Sequence, residues 1–208
     1  NLWKINRPKS ANWTTATVNK SNFGKDQVFL QSGAGIHAVD PENGNMVWHY
    51  SDGASTIPSS VLKGNMLYVP SQGLTALELS KDGKTFKQKW RSGRLRPGTA
   101  SPLAYRNHIY SLNNAGVLAC ADIESGKRLW QLRLDGPFGG SPIVAENHLY
   151  VFSEEGLAQV VDLTAPEGNI SGKMDLGEMI QCSPAVANGA IYVRSNSSIW
   201  KIARKIRF

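Results

Sequence analysis

Five short apolar segments recur along the chain at nearly constant spacing, and this recurrence restricts the fold more than any other feature. They are DQVFLQS, NMLYVPS, HIYSLNN, HLYVFSE and AIYVRSN, with aromatic residues at Phe29, Tyr68, Tyr110, Tyr150 and Tyr192. The steps between these aromatics are 39, 42, 40 and 42 residues. The stretches IPSSVLKGN, ASPLAYRN, GSPIVAEN and CSPAVANG precede the last four, each a small polar residue, a short apolar strand and a turn. The pairs Ser101–Pro102, Ser141–Pro142 and Ser183–Pro184 open these strands. Proline is tolerated there because the hydrogen-bond ladder does not yet need its N–H. After each aromatic come a polar turn and a third strand: IHAVD, LTALEL, VLACAD, LAQVVD or IWKIA. A second turn containing Gly44, Gly83, Gly126 or Gly168 leads to a fourth strand that ends at Trp48, Trp90 or Trp130, with Met174 expected in the same role. Residues alternate within the strands, and helical periodicity is absent.

A four-strand meander repeated about every 40 residues is the mark of a β-propeller blade. One such sheet cannot bury both of its faces, so blades stack around an axis and leave only short edges. Leucine-rich repeats are shorter, TPR and HEAT units are helical, and WD-type Gly-His and Trp-Asp pairs are missing. The expected fold is all-β, a propeller of four-stranded antiparallel blades near 14–50, 57–91, 99–134 and 140–176, with a partial blade at 181–206 and a lone strand at 2–6. Trp3 precedes Trp48 by 45 residues, so WKIN reads as a fourth strand. Two arrangements follow: Trp3–Asn6 pairs with the last blade and closes a five-bladed ring, or the chain is the C-terminal part of a larger ring. The first residue is Asn rather than Met, which suits a processed piece of a longer chain.

In AVDPENGNMVW and CADIESGKRLW, Asp40 and Asp122 stand eight residues before Trp48 and Trp130, and Gly44 and Gly126 stand four after the Asp. The Asp and Gly suit the turn between the third and fourth strands. The Trp suits a large apolar plug between adjacent blades. This pattern, A-x-D-x-x-x-G-x-x-x-W, resembles the PQQ-like repeat of the quinoprotein dehydrogenases. The ordering of its copies resembles PQQ-like propeller proteins of bacteria such as planctomycetes. The same repeat type forms the propeller lipoprotein of the outer-membrane assembly machinery. The resemblance implies seven or eight blades and a periplasmic or extracellular location. In quinoprotein dehydrogenases the cofactor lies at the axis between a Trp and a disulfide of adjacent cysteines, near a calcium ion. The two cysteines here, Cys120 and Cys182, are far apart and read as free thiols, so no cofactor is expected.

The formal charge is +7, with basic residues at Arg91, Arg94 and Arg96 and in a tail of Lys201, Arg204, Lys205 and Arg207. A nucleic-acid reader would add a recognisable fold and interleaved aromatics, and neither is seen. No apolar run is long enough to form a transmembrane helix. Arg91, Arg94 and Arg96 follow Trp90 in a connection between blades, where propeller loops cluster, and are the candidate surface for an anionic ligand or a protein. His108 and His148 share one repeat position, and neither they nor His37 and His49 have metal-ligand spacing. No catalytic constellation stands out. The expected function is a non-enzymatic extracytoplasmic scaffold that binds a protein, glycan, envelope component or complementary propeller segment. The alternative is a quinoprotein-like oxidoreductase using PQQ and calcium, with cofactor residues outside this chain.

Overall fold

The computed structural model describes residues 2–20 and 24–203. Five antiparallel sheets follow one another along the chain, each a meander in sequence order. Blade 1 holds β1 (Thr17–Asn19), β2 (Gln27–Ser32), β3 (Gly35–Val39) and β4 (Met46–Tyr50). Blade 2 holds β5 (Val61–Lys63), β6 (Met66–Val69), β7 (Leu74–Leu79) and β8 (Phe86–Ser92). Blade 3 holds β9 (Leu103–Tyr105), β10 (His108–Leu112), β11 (Val117–Asp122) and β12 (Arg128–Arg133). Blade 4 holds β13 (Ile143–Ala145), β14 (His148–Phe152), β15 (Leu157–Asp162) and β16 (Asn169–Asp175). Blade 5 is three-stranded over the described residues, with β17 (Ala185–Ala187), β18 (Ala190–Arg194) and β19 (Ile199–Ala203). The basic tail residues Arg204, Lys205 and Arg207 lie outside the described residues.

Buried apolar residues divide into four clusters, one per seam between blades, as expected when each sheet covers its neighbour. Phe29, Ile36 and Trp48 of blade 1 meet Leu67, Val69 and Leu77 of blade 2. Tyr68, Leu74 and Trp90 of blade 2 meet Ile109, Ala121 and Ile123 of blade 3. Tyr110, Leu118 and Cys120 of blade 3 meet Leu149, Val151 and Val161 of blade 4. Phe152, Leu176 and Ile180 of blade 4 meet Ile191 and Val193 of blade 5. Among the described residues the two outermost faces keep exposed apolar side chains: Val18 in blade 1 is 55% exposed, and Ile199 in blade 5 is 78% exposed.

The first strands lie side by side at the inner edge, and a hydrogen-bond chain joins the residues that lead into them. The backbone N–H of Thr15 donates to Ser59 Oγ, that of Ser59 to Ser101 Oγ, that of Ser101 to Ser141 Oγ and that of Ser141 to Ser183 Oγ, each at 2.9 Å. The recurring Ser therefore satisfies the amide of the preceding blade at a place where no strand pairs with it.

At each of four outer edges the third and fourth strands slip by one residue, a β-bulge at the same repeat position. The bulge follows the residue opposite the Trp: Ala38 faces Trp48, Ala76 faces Trp90 and Cys120 faces Trp130. A bulge bends and re-aims the strand that carries it. In blade 4 the residue in that register is Gly172, opposite Val160, whereas Met174 pairs with Ala158. The sequence-based expectation for Met174 was two residues off because the DLTAPEGN turn hides the register.

The lone strand expected at 2–6 is not a strand, because no ladder partner lies beside it. The segment still takes the seat of a fourth strand. Trp3, Ile5 and Arg7 are partly buried, while Leu2, Lys4 and Asn6 are exposed.

Candidate functional site

A meander of four strands sends its β3–β4 turns to one end of the blade and its β2–β3 turns and interblade connectors to the other. The predicted Trp, Asp and Gly residues occupy the first end. In blade 1, Gly44 N–H donates to Asp40 O at 2.8 Å and Glu42 N–H to Asp40 Oδ1 at 2.9 Å. In blade 3, Gly126 N–H donates to Asp122 O and Ser125 N–H to Asp122 Oδ1, both at 2.9 Å. These bonds hold Asp40 and Asp122 below the usual carboxylate range: backbone donation from Glu42 leads for Asp40, and the Ser125 hydroxyl leads for Asp122.

Each Trp lies against the turn of the following blade. Trp48 Nε1 donates to Gly83 O, and Trp90 Nε1 donates to Ile123 O, both at 3.1 Å. Gly126 has φ +69°, and a Cβ there would meet Trp90 Cε3 at 2.5 Å. A Cβ on Gly168 would meet Trp130 Cη2 at the same distance. Trp3 does likewise on blade 1: its Nε1 donates to Pro41 O at 2.7 Å, and a Cβ on Gly44 would meet its ring at 2.7 Å. Glycine is required at Gly126 and Gly44 by both the left-handed backbone and the indole above it.

The three candidate arginines sit at the other end, and the structure separates them. Arg91 is not in the connector: it lies on β8 and reaches back to blade 1, with Nη2 2.6 Å from Asp52 Oδ2 and 2.9 Å from the Tyr50 hydroxyl. It also donates to Gln72 Oε1 at 3.1 Å and to Thr75 Oγ1 at 3.0 Å. Its charge is thus balanced within a seam, which removes it from any free anion patch. Arg94 and Arg96 are exposed and form no ion pair among the described residues. Between them Leu95 is fully buried and fixes the loop. Arg96 Nε donates to Gly93 O at 2.7 Å.

Arg96 borders a cavity of about 650 Å³ shared by the connectors that follow blades 1 and 2 and by the turns β2–β3 and β6–β7. Its wall includes Asp52, Ser55, Ser71, Gln72 and the side-chain-free Gly33 and Gly73. Gln72 holds φ +49°, an uncommon conformation for a side-chain-bearing residue. With Asp52 paired to Arg91, the excess charge around this cavity is positive. Sequence reasoning found Arg96 but missed the cavity, because Gly33, Asp52 and Gln72 meet only through the seam.

Cys120 and Cys182 are free thiols on different blades. Burial pushes the Cys120 thiol up to about 12, so it is an inert core group. Among the described residues no three His, Cys, Asp or Glu side chains group as a metal site.

Sheets of this strand order, stacked seam on seam about an inner edge of first strands, define a β-propeller. The chain has this fold, with four complete blades and a partial fifth among the described residues, and its repeats are similar to the PQQ-like type. Residues 74–171 match the family described as outer membrane protein assembly factor BamB. BamB from Moraxella catarrhalis superposes with a TM-score of 0.71 at 17% identity, over 94% of this chain and 60% of that one. The computationally designed Ika8 protein superposes with a TM-score of 0.68 at 11% identity, over 97% of this chain and 61% of that one. The chain therefore spans about 60% of the length of each. At these identities the likeness is one of fold. No curated protein matches the sequence.

Proposed function

We propose that the chain is a non-enzymatic extracytoplasmic scaffold that binds a protein partner at the connector end, across the cavity beside Arg96. The observation that carries this reading is the 650 Å³ cavity with unpaired Arg96 on its rim and Arg94 on the same connector. Propeller loops gathered at one end suit recognition, since a rigid set of blades positions them. A partner with acidic side chains meets the excess positive charge there. The family description as an outer membrane assembly factor supports an envelope location and a protein partner. The open faces of blades 1 and 5 suit an arc continued by further blades into a ring of seven or eight. This reading requires no cofactor.

Photo-crosslinking from Gln72 and Arg96 in the producing cells tests it, with Lys127 at the opposite end as control. Protein adducts from Gln72 and Arg96 but not from Lys127 are expected, weakened by R94E/R96E. Equal adducts from both ends, or none, would overturn the reading. PQQ- and calcium-dependent dye reduction by the purified chain would establish the oxidoreductase alternative instead.

A further inference from the structure

A polar contact recurs at one level of the seams between blades. There the residues paired across the third and fourth strands face back toward the preceding blade. In blade 2 this pair is Thr75 with Arg91, and Arg91 bridges to Asp52 of the blade 1 connector. In blade 4 it is Gln159 with Lys173, and Lys173 bridges to Asp135 of the blade 3 connector. Gln159 Nε2 also donates to Asp135 O at 2.9 Å. A cation on one blade thus meets a carboxylate that follows the docked Trp of the blade before.

Blade 1 carries a different set at this level. The cross-strand pair is His37 with His49, their ring centroids 4.2 Å apart and edge to face. The group four residues after the docked Trp3 is Arg7, where Asp52 stands four after Trp48. Arg7 Nη2 donates to Gln31 O at 2.6 Å, on the strand beside His37. The seam has therefore exchanged carboxylate against cation for guanidinium against two imidazoles.

We infer that the contact between residues 3–7 and blade 1 is a pH-sensitive seam, in which protonation of His37, beside His49 and Arg7, drives Arg7 off and undocks Trp3. The charged groups that act on His37 among the described residues are His49 from β4 and Arg7 from the N-terminal segment, with no carboxylate among them. Burial first, then these two neighbours, hold His37 below the ordinary histidine range. His37 takes up its proton more readily when the segment is released. Docking is therefore strongest above the ordinary value near 6.5 and weakens as pH falls through it. The inference is independent of the proposed function.

Hydrogen exchange of residues 3–7 in the full chain, corrected for intrinsic rate, reads the docked population at pH 7.5 and 5.5. Wild type should lose protection on acidification, the direction that linkage sets for a proton bound more tightly once the segment is released. H37Q/H49Q should lose little. R7Q, a change outside the strands of the blades, should also flatten the pH dependence whatever its baseline. Unchanged wild-type protection, or an H37Q/H49Q or R7Q response equal to wild type, would overturn the inference.

Discussion

The seam between blades 2 and 3 and the seam between blades 4 and 5 have the same strands in the same order but are closed differently. In the first, Trp90 is 8% exposed, bonds to Ile123 O and covers Gly126. In the second, Gly172 stands in the Trp register. There a cavity of about 130 Å³ remains, lined by Tyr150, Phe152, Val160, Met174, Ile191 and Ile202. The fold thus tolerates loss of the indole, because apolar contact along the inner strands still holds blade 5 to blade 4. The Trp adds packing at the outer edge, where the bulge re-aims the fourth strand.

Trp90→Ala should break the tighter seam with the largest effect, about 3–5 kcal/mol in denaturant unfolding, from lost burial and the cavity left behind. An effect below that of a surface residue would remove the Trp from its role. The inner edge comes next. Ser141→Ala deprives the Ser101 amide of its acceptor and should cost about 1 kcal/mol. Thr15→Ala, whose hydroxyl accepts no such bond among the described residues, should stay within about 0.5 kcal/mol. Equal losses would show that the hydroxyl chain carries no stability of its own.

The looser seam should move the other way. Gly172 is not in the left-handed region, and its Cβ would meet only Val160, at 3.8 Å. Gly172→Ala should therefore stabilise by about 0.5–1 kcal/mol, through chain entropy alone. The last effect is one of pH dependence and belongs to Glu178, on the connector into blade 5. It accepts from the hydroxyls of Ser195, Ser197 at 2.7 Å and Ser198 at 3.0 Å, and these bonds hold its carboxyl at about 2. Its contribution is full above the ordinary glutamate range and is lost as pH falls toward 2. A pH titration of stability should show a shallower acid limb below 4.5 in E178Q than in wild type.

The blade boundaries were legible because the aromatic spacing and turn glycines repeat in sequence. Trp48, Trp90, Trp130, Asp40 and Asp122 could be picked out for the same reason, since each belongs to one repeat position. Position within a blade was less secure where a turn lengthened, as before Met174. The recurring Ser before each Pro was visible, but not the amide it serves, because that amide lies about 40 residues away in the preceding blade. The partners of Arg91 were hidden likewise. Asp52 and Tyr50 are distant in sequence and meet it only across a seam.

The central claim is that each Trp closes one particular seam by resting on the turn of the blade that follows. A double-mutant cycle for Trp90→Ala with Gly126→Ala measures this directly, with Gly168→Ala in place of Gly126→Ala as reference. The account predicts a coupling of roughly 1 kcal/mol or more for the Trp90–Gly126 pair and near-additivity for Trp90 with Gly168, which sits under Trp130. Additivity for both pairs, or equal coupling to both glycines, would contradict it.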